Sequence, residues 1–163
     1  MGTLGGPESY AISINNSNIL VGGSFLDPDY AEYHAFIVVS NAMVDLNSLV
    51  DDSGSGWVLT EARAINDAGQ IAGLGTYGGA SHIFLLNPLP SITAIALSGT
   101  NVLVRFSTLL DRTYSLVSRE NVAAGAWSPA VTNLVGNGSI VTATNLGGLL
   151  QPQRFYRARL DNP

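Results

Sequence analysis

Apolar runs about four to eight residues long recur along this chain, each stopped by Gly, Asn, Asp, Ser or Pro. Runs of that length between turn formers are strands, so the pattern predicts an all-β protein. In the first half the pattern repeats. Ala11-Ile12-Ser13-Ile14-Asn15-Asn16-Ser17-Asn18-Ile19-Leu20-Val21-Gly22 aligns with Ala62-Arg63-Ala64-Ile65-Asn66-Asp67-Ala68-Gly69-Gln70-Ile71-Ala72-Gly73 at an offset of 51. His34-Ala35-Phe36-Ile37 aligns with His82-Ile83-Phe84-Leu85 at an offset of 48, and a loop absorbs the difference. In each copy, Asn15 or Asn66 opens a tetrad that tolerates left-handed backbone between two apolar runs, which is a hairpin. A third strand, Ala35 to Val39 or Ile83 to Leu86, makes each repeat a three-stranded antiparallel meander. Asp51-Asp52-Ser53-Gly54-Ser55-Gly56 is expected to be a flexible connection between the copies.

Asn87-Pro88-Leu89-Pro90 marks a boundary, because two prolines in three positions forbid helix and disfavour central strand. Beyond it the expected strands are Ile92 to Leu97, Val102 to Phe106, Thr113 to Val117, Ala130 to Leu134, Ile140 to Thr144 and Arg154 to Leu160. Short strands with regular turns read as a sandwich. The expected organisation is repeats at 3–50 and 51–89, then a small sandwich at 90–163.

Composition narrows the function classes. With 46% hydrophobic residues the chain is no disordered tail, and 12% charged residues is about half the usual quarter. Cysteine is absent, which removes disulfides, cysteine nucleophiles and thiolate metal clusters. All seven basic residues are arginines. Residues 1–90 hold nine carboxylates against Arg63, a net of −8, while residues 91–163 hold three against six arginines, a net of +3, which together give the chain's −5. The acidic total argues against nucleic acid as a partner, and the asymmetry suits end-to-end association of copies or two domains of separate history. No apolar run reaches the roughly 18 residues of a membrane span. The opening Met1-Gly2-Thr3-Leu4-Gly5-Gly6 is no signal peptide, so an exported form is expected to draw its leader from upstream sequence.

The first half resembles the HAF-type extracellular repeats of bacteria, named for a triplet that stands here as His34-Ala35-Phe36. The family's other marks are Leu4-Gly5-Gly6, Asp45-Leu46-Asn47-Ser48-Leu49 and the block from Ala64 to Gly73. Ile83, where alanine is usual, and Asn18-Ile19, where Gly-Gln is usual, depart from it. The resemblance implies propeller-like blades and an extracellular or cell-surface location. Residues 91–160 resemble small sandwich modules of secreted proteins from Verrucomicrobia-like bacteria, through Arg112-Thr113-Tyr114-Ser115-Leu116, Trp127 and Arg154-Phe155-Tyr156-Arg157. Fibronectin- and immunoglobulin-like modules share such patterns.

Candidate chemistry is sparse. His34 and His82 occupy equivalent repeat positions, which favours a structural role, hydrogen-bonding a turn in each blade, over zinc. No Gly-x-Ser-x-Gly elbow is present, and Gly22-Gly23-Ser24 precedes no helix, so neither serine hydrolysis nor nucleotide binding is indicated. A glycosidase pair would have to come from Asp27, Asp29, Glu32, Asp51, Asp52 and Glu61, most of which read as solvated loop charge. Calcium is the most credible ion, through Asp27, Asp29 and Glu32, although no EF-hand pattern is present. Tyr30, Tyr33, Trp57 and Tyr77 lie in or beside loops, where they either stack on sugars or cover the rim of a small core. Asn15-Asn16-Ser17 and Asn137-Gly138-Ser139 match the glycosylation pattern but read as turns.

A repeat blade buries its faces on neighbours, and about three are normally needed. Two are encoded. The expectation is therefore a non-enzymatic extracellular structural protein whose partners are copies of itself, as a filament or surface layer built by strand addition. The alternative is a glycan-binding or adhesive module of a larger secreted protein.

Overall fold

The computed structural model describes residues 2–151 and 153–161, among which strands alternate with turns and three short 3-10 segments, with no α-helix. Contacts divide the chain into two compact units, residues 1–88 and 89–163. The prolines at 88 and 90 punctuate the chain at that division.

In the first unit, β1 (Ser9–Ile14), β2 (Leu20–Phe25), β3 (Tyr33–Val39) and β4 (Ala42–Asp45) form one antiparallel sheet in chain order. A second sheet follows from β5 (Trp57–Ile65), β6 (Ile71–Tyr77) and β7 (Ala80–Leu86). The first repeat is therefore four-stranded, not the three-stranded meander expected. Ser40 and Asn41, both at positive φ (51° and 65°), make the tight turn from β3 to β4. Such a turn needs left-handed backbone at both central residues, which serine seldom adopts, so the dipeptide gives little warning. The connection at 51–56 also differs from a flexible linker. Asp51 caps a 3-10 turn at Asp52–Gly54 by accepting from the Ser53 amide.

The internal repeat is visible in backbone detail. A bulge interrupts β1 between Ala11 and Ser13, and its counterpart interrupts β5 between Ala62 and Ala64, at the same repeat position. The hairpin turns match bond for bond: Asn15 N–H donates to Ile19 O at 3.1 Å, as Asn66 N–H does to Gln70 O. Asn18 at φ 59° takes the left-handed place that Gly69 holds in the second copy, because asparagine tolerates that region.

Strand alternation then decides which residues meet. Val21 and Ala35 on one face of the first sheet are buried with Leu59, Ala62, Ile65, Ile71 and Phe84 of the second, and Ile37 packs against them. Polar bonds at equivalent positions join the two hairpin turns. Asn15 Nδ2 donates to Asn66 O at 3.1 Å, and the Asn16 amide and side chain donate to the Asp67 carboxylate at 2.9 and 2.6 Å.

The second unit has two three-stranded sheets. One orders β8 (Ile92–Ser98), β9 (Asn101–Ser107) and β12 (Ile140–Asn145) around β9; the other orders β11 (Ser128–Val135), β10 (Thr113–Arg119) and β13 (Phe155–Leu160) around β10. Val102, Val104, Phe106 and Ala143 of the first share a core with Tyr114, Leu116 and Ala158 of the second. All six expected strands occur here. The buried Tyr114 hydroxyl accepts from the Leu109 amide at 2.8 Å, which ties the loop before β10 to the core. Among the described residues, neither unit closes its sheets into a barrel.

Candidate functional site

Tyr30, Tyr33, Trp57 and Tyr77 separate into two aromatic clusters. In the first, Phe25 ends β2 and its ring lies 4.7 Å from both Tyr30 and Tyr33. Tyr33 is half-buried, its ring laid over Gly23, where any Cβ would collide with it. Tyr30, at φ 60°, is half-exposed beside the half-exposed Tyr10 of β1. The Glu8 carboxylate joins them, accepting from the Tyr10 hydroxyl and from the Tyr30 hydroxyl at 3.4 Å. Its hydrogen bond and charge hold the Tyr10 phenol above the usual value, and burial followed by the Glu8 charge raises Tyr30. Burial, then the Glu61 carboxylate, raises Tyr33. Both exposed phenols therefore stay neutral hydrogen-bond donors throughout the physiological range. Glu8 and Tyr10 were not legible as site residues, because it is the return of the loop between β2 and β3 that brings Tyr30 to the Glu8 carboxylate.

The second cluster places the half-buried Trp57 against Tyr77 at 5.5 Å and edge-on to His82 at 5.9 Å. His82 thus faces an indole. His34 does bond a turn: its Nδ1 lies 2.7 Å from Asp45 Oδ2, just where β4 enters the 3-10 turn Leu46–Ser48. Burial raises the Asp45 pKa, but hydrogen bonds from His34, from the Asn47 side chain and from the Asn47 amide outweigh it and bring a net lowering. Asn47 continues the chain of bonds. Its side chain donates from Nδ2 to Leu59 O at 2.9 Å and accepts at Oδ1 from Leu59 N at 2.7 Å, in the manner of a neighbouring strand. Asp45-Leu46-Asn47 therefore couples the first repeat to β5.

Asp27, Asp29 and Glu32 do not come together as ligands. Asp27 instead accepts from the amides of Asp29, Ala31 and Glu32 at 3.0, 3.0 and 2.8 Å, so its carboxylate organises the loop before β3. The Ala31 and Glu32 amides, opposed by partial burial and helped by that of Asp29, keep its pKa below the ordinary range. Among the described residues, no group of three or more His, Cys, Asp or Glu side chains is arranged to hold a metal. Asn15 and Asn66 serve their turns: Asn15 Oδ1 accepts from Ser17 and Ile19, and Asn66 Oδ1 from Gln70.

An open cavity of about 230 Å³ lies where the connection at 50–55 meets Trp57 and Leu59 of β5. Drug-sized ligands usually occupy roughly 300–1,000 Å³. The more extensive exposed features are strands and sheet faces. β8 is exposed at every residue and, among the described residues, pairs with β9 alone. Ile83 and Leu85 of β7 and Ile12 and Ile14 of β1 also face solvent.

These features define an all-β protein of open antiparallel sheets in two units, with exposed apolar strand surface in each. Comparison with protein-family models, curated proteins and solved structures finds no match.

Proposed function

We propose that this chain is a non-enzymatic structural protein that assembles with copies of itself by strand addition, and that it works outside the cell. The observation that carries the reading is β8. Its sequence, Ile92-Thr93-Ala94-Ile95-Ala96-Leu97-Ser98, contains no charge or proline, yet it stands at the sheet edge with Ile95 and Leu97 56% and 63% exposed. Natural edge strands are normally blunted by lysine, proline or bulges, because unpaired backbone groups recruit another strand. The sole irregularity here is the bulge at Thr93, at the start of the strand. A second copy suits such an edge, since main-chain hydrogen bonds supply affinity and alternate apolar side chains fit a like surface. The extracellular placement, the propeller-like reading of the repeats and the immunoglobulin-like reading of the sandwich rest on the sequence resemblances. No bound ion is part of this reading.

Ile95→Lys places a charge in the middle of that edge. Sizing and electron microscopy at low micromolar protein are expected to show large species for the wild type and at least tenfold less assembled material for the variant. A wild type that stays monomeric under those conditions removes the proposal.

A second reading is favoured by one arrangement, the half-exposed Tyr10 and Tyr30 rings bridged by Glu8. Aromatic faces beside a carboxylate bind sugars by stacking and by hydrogen bonds to hydroxyls. Glycan-array binding abolished by Tyr10→Ala and Tyr30→Ala, with assembly intact, is the expected result. Silence of the wild type on the array eliminates this reading.

A further inference from the structure

Each repeat has two sheet faces, and the contact between the repeats covers one of each. The first repeat turns Val21, Ala35 and Ile37 toward the second, which answers with Ala62, Ile65, Ile71 and Phe84. These are opposite faces of the repeat. Ala35 and Phe84 stand one position apart in the aligned repeats, and Phe36, the counterpart of Phe84, points away from Ala35. The stacking is therefore head to tail, with unlike surfaces in contact.

Such a stack leaves one unlike surface at each end. On the second repeat, the counterparts of Val21, Ala35 and Ile37 are Ala72, Ile83 and Leu85. Ile83 is 79% exposed where Ala35 is 0%. On the first repeat, the counterparts of Ala62, Ile65 and Ile71 are Ala11, Ile14 and Leu20. Ile14 is 59% exposed where Ile65 is 9%, while Phe36, the counterpart of Phe84 on this face, is already covered within the chain, so the open part is the Ile14 end. The residues at both ends keep the apolar character that the covered interface uses. The turns match as well. Asn15 Nδ2 reaches Asn66 O, whereas Asn66 Nδ2, which has no third turn to reach, bonds Gln70 Oε1 within its own hairpin at 2.8 Å.

We propose that these two end faces are the halves of one contact, in which the Ile83–Leu85 face of one copy seats the Ala11–Ile14 face of the next. The contact repeats between chains the interface that already joins the two repeats within a chain, and this is what identifies the occupant as a second copy. The inference rests on the self-association reading but uses a surface separate from β8. A heterologous contact of this kind propagates, closing into a ring if the rotation permits and growing as a filament if it does not.

The test works in the Ile95→Lys background, where the β8 edge is blocked. Ile14→Arg and Ile83→Arg change exposed side chains, and unchanged circular dichroism and thermal midpoint establish that each variant folds. The Ile95→Lys chain alone is expected to form oligomers larger than dimers when sized by sedimentation at about 100 μM, within the micromolar range of modest interfaces. Each arginine variant alone is expected to be monomeric. A one-to-one mixture of the two is expected to give a dimer and nothing larger, because each variant keeps one sound face. Two-fold contacts do not produce that rescue. A mixture that stays monomeric, or arginine variants that assemble like their parent, overturns the inference. So does an Ile95→Lys chain that is already monomeric while the wild type assembles, a result that leaves strand addition standing. A monomeric wild type defeats both.

Discussion

Gly73→Ala is expected to lower the stability of residues 1–88 by about 3 kcal/mol, the upper end of overpacking costs. Gly73 lies on β6 opposite Ala62, beside the β5 bulge, where the Glu61 carbonyl oxygen turns in toward it. A Cβ at residue 73 would sit inside contact distance of that oxygen and 2.5 Å from Phe84 Cζ. The ring can rotate, but the carbonyl belongs to a strand held on both ends by its ladder. Gly22 repeats the situation against the Tyr10 carbonyl and Phe36 Cζ, so the close approach is built into the repeat. A two-sheet unit of this size is marginally stable, and a loss of this magnitude removes much of its margin. Gly78→Ala is the control. A Cβ there meets nothing within 4 Å, so its cost is the left-handed backbone alone, roughly 1–2 kcal/mol. Urea unfolding followed by Trp57 fluorescence, with Trp127 replaced by Phe, reads both; equal midpoints for the two variants contradict the argument.

That clash explains part of what was legible in the sequence. Turn chemistry and strand length marked nearly every strand, because Asn-Asp-Ala-Gly, Gly-Asn-Gly and the paired prolines break the chain where the backbone must turn. The internal repeat was legible for the same reason, down to glycines 22 and 73. The hairpin at Ser40-Asn41 was not, since serine is an uncommon occupant of left-handed backbone and β4 has only four residues. Neither was the Glu8–Tyr10–Tyr30 arrangement, because it depends on a loop of seven residues between β2 and β3 returning Tyr30 to β1. Acidic spacing suggested calcium at Asp27, Asp29 and Glu32. Spacing alone does not distinguish a ligand loop from a carboxylate that caps its own backbone amides, and the structure has the latter. Exposure of whole faces, the feature on which the proposed self-association rests, is a tertiary property. Ile14 and Ile65 are the same residue in the same pattern, and only the position of each repeat in the stack decides which one is covered.

Phe106→Ala is expected to destabilise residues 89–163 by about 3–5 kcal/mol, the usual cost of deleting a fully buried ring. Phe106 projects from β9 with none of its surface exposed, and its ring lies 5.9 Å from Tyr114 of β10 at a tilt of 60°. It therefore contributes both area buried between the two sheets and an inter-sheet aromatic contact. The collapse available to the site is limited. Val104 on the same strand is itself buried, and Tyr114 is held in place by its bond to the Leu109 amide. A cavity results, and cavity volume sets the cost. The consequence extends to the proposed assembly. Phe106 pairs with Ile92, so the strand that loosens is the one on which β8 is built. Unfolding monitored by Trp127, which lies over the Arg119 guanidinium at 4.4 Å, reports this unit when Trp57 is replaced by Phe. The variant is expected to unfold at lower urea and to lose ordered assembly in favour of amorphous aggregate, because an uncharged apolar edge released from its sheet pairs without register. A cost below about 1.5 kcal/mol, in the range of a volume-conserving swap, means that the ring does not hold the sheets together.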